Sequence, residues 1–297
     1  FDHLFELQPG MKVVLEMSSH QLEFMHESPH LALLLNAYEE HLDHYASFAQ
    51  YIEAKCNIFR FQGAEDYFIY NVDDVNLRQF VHEPAAQTFR VSLAGNPQAQ
   101  TRLTGNEVHF EDQVIYHRDA PRQLLGDYNL QNIMFALTVA EILGLDLAKA
   151  QQTISEFQTL KHRLEFVREV NGVKYYDNSI GTVPMATIEA VKALGNVDTV
   201  IIGGMDRGLD YTEFVSFLNQ SSIANIICMP KTGHDIANRL SPEKVHKVET
   251  LDEAVQAANA VTASGHAVLL SPAAASYGFF KNFEEKGDKF QELVRAL

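Results

Sequence analysis

The stretch 31–55, LALLLNAYEEHLDHYASFAQYIEAK, decides how the rest of the chain is read. Its apolar run, Leu31 to Leu35, stops abruptly at Asn36, and a short, wholly apolar run bounded by polar residues predicts a strand buried on both faces. Such strands belong to parallel sheets, which place ligands just beyond their carboxyl ends. Glu39-Glu40-His41-Leu42-Asp43-His44 sits at that point and crowds together five groups able to bind metal or move protons. A helical segment carrying Tyr51 and Lys55 follows. Upstream, 11–15 (MKVVL) reads as a second apolar strand, ending at Glu16, with Ser18 and Ser19 just after it. If the two strands are neighbours, Glu16 and His41 meet on one rim of the sheet.

A chain of 297 residues is long enough for two domains with sizeable cores. Its net charge of −16 argues against a general nucleic-acid or anionic-membrane surface, which needs clustered Lys and Arg. An anionic small substrate needs only a few local cations and stays open. Cys56 and Cys228 lie far apart inside apolar segments, which suits reduced thiols and a cytoplasmic location better than a disulfide. No apolar run approaches the roughly 20 residues of a membrane span. No signal peptide opens the sequence either, and it begins at Phe1, as a fragment or a processed chain does.

From Tyr67 to Tyr116, short alternating stretches such as 89–93 and 108–110 are separated by Gly-Asn pairs at 95–96 and 105–106, predicting a small antiparallel meander on the domain's edge. A helix opens at Gly126-Asp127-Tyr128-Asn129 and stops at Gly144. Asn129 and Asn132 lie one turn apart on it, where a pair of amides could read a purine edge or simply cap and solvate the helix. The domain boundary falls near 160, giving domains 1–160 and 161–297. The second alternates strand and helix: strands at 173–176, 199–202, 226–229 and 267–270, helices at 184–194, 211–219, 233–240, 252–263 and 284–296. That is a second doubly wound parallel sheet. The fold class is therefore α/β, two doubly wound domains.

Gly203-Gly204 could cradle a phosphate or be an ordinary tight turn. The sequence holds no G-x-x-x-x-G-K-[ST] phosphate loop, no zinc-binding spacing around His41 and His44, and no G-x-S-x-G elbow. What it does hold is a collinear series: Val13-Val14-Leu15-Glu16-Met17-Ser18-Ser19-His20-Gln21-Leu22-Glu23, Leu35-Asn36, His41-Leu42-Asp43, Tyr51-x-x-Ala54-Lys55 and Gly126-x-x-Asn129-x-x-Asn132. It continues with His162-Arg163-Leu164-Glu165, Leu270-Ser271-Pro272-Ala273-x-Ala275-Ser276 and Phe280-Lys281-Asn282-Phe283-Glu284-Glu285-x-Gly287. This series resembles the Mur ligases, ATP-dependent amide-forming enzymes of peptidoglycan precursor synthesis. The closing stretch is similar to the branch that adds glutamate to UDP-N-acetylmuramoyl-L-alanine.

The resemblance implies a partial central ATPase domain and a Rossmann-like C-terminal glutamate domain in a monomer. It also implies roles. Glu16, His41 and Lys55 would be catalytic and hold magnesium, with Lys55 carbamylated into a carboxylate-like ligand. Asn129, Asn132, Arg163 and Asn178 would bind ATP, and Thr182, Arg207, Ser276 and Phe283 would surround the incoming glutamate. The family's phosphate loop and UDP-binding domain would precede Phe1. Glu40-His41 and Tyr128-Asn129 depart mildly from the family's Asp-His and His-Asn. Asn178-Ser179-Ile180 replaces a usual Asp-Ser-Lys, and with Asp206-Arg207-Gly208-Leu209-Asp210 it is similar to a minority branch using L-glutamate rather than the ordinary D-glutamate. A folylpolyglutamate synthase-like ligase and a non-catalytic nucleotide-binding subunit are the competing expectations.

Overall fold

The computed structural model describes residues 4–38, 44–82 and 84–297. They form two compact units, one running to Ala120 and taking in Gln131–Gln151, the other made of Pro121–Leu130 and Gln152–Leu297.

In the first unit, α1 (Ser19–Leu22) is opened by Ser18 and Gln21, whose side chains each bond the other's backbone N–H, a reciprocal cap. β1 (Leu31–Leu34) is followed by α2 (Phe48–Arg60), which starts where the Ser47 hydroxyl accepts from Gln50 N–H. Ile52, Cys56 and Phe59 recur along one face of α2 and are buried against Phe68 and Tyr70 of β2 (Tyr67–Asn71). α3 (Val75–Phe80), capped by the Asp74 carboxylate, leads to β3 (Gln87–Ser92). β4 (Thr101–Thr104), β5 (Glu107–Phe110) and β6 (Gln113–His117) complete a sheet in strand order β1-β2-β3-β4-β5-β6. α4 (Asp127–Ile142) ends at Gly144 in left-handed backbone (φ 62°), with Gly144 N–H on Glu141 O and Leu145 N–H on Ala140 O, and α5 (Leu147–Glu156) follows.

Two expectations are corrected here. β2 and β3 belong to the parallel part of the sheet, and only β4, β5 and β6 form an antiparallel meander. The intervening α3 is the reason: a helical crossover returns the chain to run parallel, whereas a tight turn reverses it. Residues 11–15 form no strand, and Val14 is 99% exposed. A strand exists by pairing, and β1, the end strand of this sheet, pairs with β2 alone among the described residues.

The second unit is built on β7 (Glu165–Val170), β8 (Val173–Asp177), α6 (Pro184–Leu194), β9 (Val197–Ile202), α7 (Thr212–Gln220), β10 (Asn225–Cys228), α8 (Thr232–Ala237), β11 (Val245–Lys247), α9 (Leu251–Val261), β12 (Ala267–Leu270) and α10 (Phe283–Arg295). Strand order is β11-β10-β9-β12-β8-β7, parallel except for β7, which runs antiparallel to β8. Side chains alternate between faces: Val200 and Ile202 pack with residues of α6, α7 and α8, while Ile201 packs with α9 and α10. Each such buried aliphatic side chain contributes about 1.5–3 kcal/mol. Helices on both faces explain why β9, β10 and β12 are buried at nearly every position rather than alternating. The short β11 and the antiparallel β7 carry no such signal.

Candidate active site

The chain leaves β9 toward β10, and leaves β12 for α10, which lies on the side of β8 and β7. Between two adjacent parallel strands whose exits diverge lies the crevice where such sheets bind ligands. Four strand exits reach this rim: 177–182 after β8, 203–208 after β9, 229–232 after β10 and 271–276 after β12.

His162 and Leu164 both adopt left-handed backbone (φ 64° and 49°) and are buried, while Arg163 between them is exposed. Non-glycine residues in that region are strained and persist only where surroundings hold them. Here they are held: His162 Nδ1 pairs with Asp177 Oδ2 at 2.7 Å, His162 N–H donates to Glu165 Oε2 at 2.8 Å, and Leu164 N–H donates to Asn178 Oδ1 at 3.1 Å. Gln291 of α10 donates to Glu165 and Asp177, both at 2.9 Å. His162, Glu165 and Asp177 lie close enough to share an ion, and Glu165 Oε2 and Asp177 Oδ2 also accept from these donors. Buried Ser179 Oγ has no partner among the described residues, and His162 Nε2 has only Asp288, at 3.7 Å. A hydrogen bond from Lys161 holds the Asp288 carboxyl below the usual carboxylate range.

Arg163 and Asn178 line one cleft of about 250 Å³ with Tyr128, Ile180, Gly181 and Glu189. Burial raises the Tyr128 phenol above its ordinary pKa, so it stays neutral and presents an aromatic face and a hydroxyl. The Asn178 amide is engaged inside the fold, its Nδ2 donating to Ser271 Oγ at 2.9 Å. It therefore shapes the loop, and Arg163 supplies the free charge at the mouth.

Arg207 is exposed after the Gly203-Gly204 turn, and its Nη2 donates to the Thr182 carbonyl at 3.3 Å, which joins two of the expected glutamate residues. Ser276 is buried with its hydroxyl unpartnered among the described residues, beside the Met205–Ala275 bridge that ties the β9 and β12 exits together. Phe283 opens α10, its ring edge-on to His162 at 6.3 Å between centroids. Sequence reasoning left Lys286 and Gln291 unread. Their signal was position, since both fall on the buried stripe of α10 with Phe290 and Val294.

The residues expected in the ATPase half are less assembled. Glu16 is exposed on an irregular segment and not at a strand end, because 11–15 is unpaired. Lys55 is half-buried on α2 with Nζ 5.0 Å from the Tyr51 ring centroid. His41 lies outside the described residues, as does the rest of 39–43. Asn129 is buried and donates to Leu125 O at 2.8 Å, whereas Asn132 is exposed.

Comparison with known proteins agrees with this architecture. Residues 4–140 match the Mur ligase middle domain, and residues 162–274 match the Mur ligase, glutamate ligase domain. The chain is 34% identical over 297 residues to a UDP-N-acetylmuramoylalanine–D-glutamate ligase of Geotalea uraniireducens, covering 96% of this chain and 64% of that protein. It is 35% identical, with the same coverage, to the enzyme of that name from Geobacter metallireducens. The chain thus spans just under two thirds of these relatives. Its fold is similar to that of the MurF ligase from Thermotoga maritima in complex with ADP, with a TM-score of 0.63 at 18% identity over 91% of this chain and 64% of that one. With two adjoining domain models matched in order and the sheet exits arranged as described, the chain belongs to the Mur ligase family.

Proposed function

We propose that this chain is the nucleotide- and glutamate-handling part of an ATP-dependent ligase that joins glutamate to UDP-N-acetylmuramoyl-L-alanine. The observation that carries it is the convergence of two exposed guanidinium groups on one rim, Arg163 beside an aromatic cleft and Arg207 against Thr182. Glutamate and ATP both present clustered negative charge, and planar forks suit carboxylate and phosphate oxygens. The names of the relatives point to D-glutamate.

In this reaction the substrate carboxylate oxygen attacks the γ-phosphorus of ATP, and ADP leaves with the electrons of the broken P–O bond. The acyl phosphate that results has phosphate in place of oxide as leaving group. The glutamate amine, as free base, attacks the acyl carbon. The tetrahedral adduct expels phosphate, and the amine proton passes to solvent. Arg163 offsets negative charge on the transferred group. Arg207 and the Thr182 loop pin the glutamate side chain or α-carboxylate, leaving the amine free to attack. Magnesium and a carbamylated Lys55 belong to the same reading. Glu16 is exposed on a segment that forms no strand, so the described residues do not assemble the expected set of Glu16, His41 and Lys55.

The test is phosphate release from ATP by the complete gene product, offered UDP-N-acetylmuramoyl-L-alanine or a folate as acceptor and D- or L-glutamate as amine. Turnover requiring the muramoyl acceptor and D-glutamate is expected. Turnover only with folate, or none with any pair, overturns the proposal. Preference for L-glutamate keeps the ligase and moves it to the other branch.

A further inference from the structure

Lys286 is a buried lysine that the proposed chemistry does not use. It sits on the inner face of α10, 1% exposed, with Nζ 6.0 Å from the Phe280 ring centroid. Its hydrogen-bond acceptor is the Gly203 carbonyl at 2.8 Å, not a carboxylate. Taking an ammonium out of water without a counter-ion is unfavourable, and burial draws this amine down to about 7. Such a group persists where its contact matters to the fold or to the site.

The contact falls on the turn that displays Arg207. Gly203 and Gly204 are both in backbone that side chains rarely adopt (φ 124° and 158°). The turn is held on every side: Gly203 N–H donates to Pro272 O at 2.9 Å, Met205 N–H donates to Ala275 O at 2.7 Å, and Gly204 O accepts from the Lys231 and Thr232 N–H groups and the Thr232 hydroxyl. The Gly203 carbonyl accepts from Lys286 Nζ, its one donor among the described residues. Arg207 follows four residues later.

We propose that Lys286 is a positioning residue for the amino-acid substrate, fixing the Gly203–Gly204 turn so that Arg207 meets Thr182 in the geometry that grips the incoming carboxylate. This rests on the reading of Arg207 as a glutamate contact. Lys286 touches no substrate and acts through the turn.

The experiment compares Lys286→Met and Lys286→Arg with wild type in the complete gene product. Methionine fills similar volume without a charge, so the fold tolerates it, but Gly203 O loses its donor. Lys286→Met should raise KM for glutamate at least tenfold while KM for ATP stays within twofold. Lys286→Arg, which keeps a donor, should recover to within about threefold of wild type. Equal changes in both KM values, no change in either, or failure of arginine to recover the glutamate KM overturns the proposal. Amide hydrogen exchange at Met205 gives a readout independent of turnover. It should quicken about tenfold in Lys286→Met and not in Lys286→Arg, and unchanged exchange overturns the anchoring role. If wild type shows no glutamate-dependent turnover but Met205 exchange responds as stated, the ligase reading has failed and the anchor has not. If Lys286→Met does not accumulate as folded protein, Lys286→Leu, which also lacks a donor, replaces it under the same criteria.

Discussion

Arg163 and Arg207 are both exposed guanidinium groups on one rim of the second unit, and the proposed reaction gives them different work. Arg163 borders a cleft with an aromatic ring, and in the proposed reaction it would act on a phosphoryl group whose charge redistributes during transfer. Replacing it by Ala should lower kcat about 10²–10³-fold, the loss typical of one electrostatic donor at the reacting centre. In the proposed reaction Arg207 would grip a carboxylate that is charged from the start, so Arg207→Ala should chiefly raise KM for glutamate, by about 10–100-fold. Steady-state kinetics separates the two, and matching kcat and KM effects at both positions would contradict the assignment. Lys286 adds a pH signature. Its folded pKa of about 7 lies below the ordinary lysine value of 10.5, so the unfolded chain binds the extra proton between those values. Stability therefore rises with pH across that window, by on the order of 5 kcal/mol for a fully desolvated amine, and the penalty is complete below it. Urea denaturation of wild type and Lys286→Met at pH 7, 8.5 and 10 should show wild type gaining on the variant as pH rises. Parallel curves would mean the amine is not desolvated. Arg163 and Arg207 could be picked out in the sequence because their motifs are local. His162, Asp177 and Gln291 could not be grouped, since 114 residues separate the last pair and only the packing of α10 brings them together.

Among the elements, α10 shows how a helix can oppose its own propensity. Gly287 lies inside it, where Ala would favour the helix by about 1 kcal/mol. A Cβ there would come within 2.2 Å of His162 Nδ1, 2.4 Å of Ser179 Oγ and 2.7 Å of Asp177 Oδ2. Overpacking of that kind costs about 1–3 kcal/mol, so Gly287→Ala should destabilise despite propensity. A denaturant midpoint equal to or above wild type would show that the network can yield. Strands β9, β10 and β12 of the second unit were legible because each ends in a bounded apolar run, and two predicted spans, 184–194 and 267–270, coincide with α6 and β12. The parallel pairing of β2 and β3 was not legible: α3 is six residues long, too short to announce a crossover, and the glycine pairs further on dominated the pattern. The apolar run 11–15 has the composition of a strand, but composition does not supply a hydrogen-bonding neighbour.

At the scale of the whole molecule, each compact unit encloses one cysteine: Cys56 on α2 and Cys228 at the end of β10. Burial pushes both thiols up to about 12. At pH 8 the reactive thiolate is then roughly 10⁻⁴ of the total, so alkylation of the folded chain should be at least about 10³-fold slower than of the unfolded chain. Mass spectrometry of iodoacetamide labelling along a urea series should show each cysteine labelled only as its own unit opens, and prompt labelling of either thiol without urea would refute the burial. The sign for stability is the reverse of that for Lys286: a raised thiol pKa supports the fold below about 9, and this contribution is lost as pH climbs toward 12. The two-domain plan was readable because hydrophobic runs recur in both halves. The short segment 121–130 was not assigned to the second unit, since nothing local to it records that Leu125 packs on that unit's core.

The turn at Gly203-Gly204 also sets where this scaffold can be altered. A Cβ on Gly203 would stand 2.4 Å from the Met229 carbonyl oxygen, and one on Gly204 2.2 Å from that of Ala275. Both obstacles are main chain and cannot rotate aside. A library meant to change which amino acid the rim accepts therefore gains nothing from randomising 203 and 204. Its diversity belongs at 180, 182, 183, 205–207 and 209, where side chains are exposed or half-exposed and selection can act on shape without unseating the sheet.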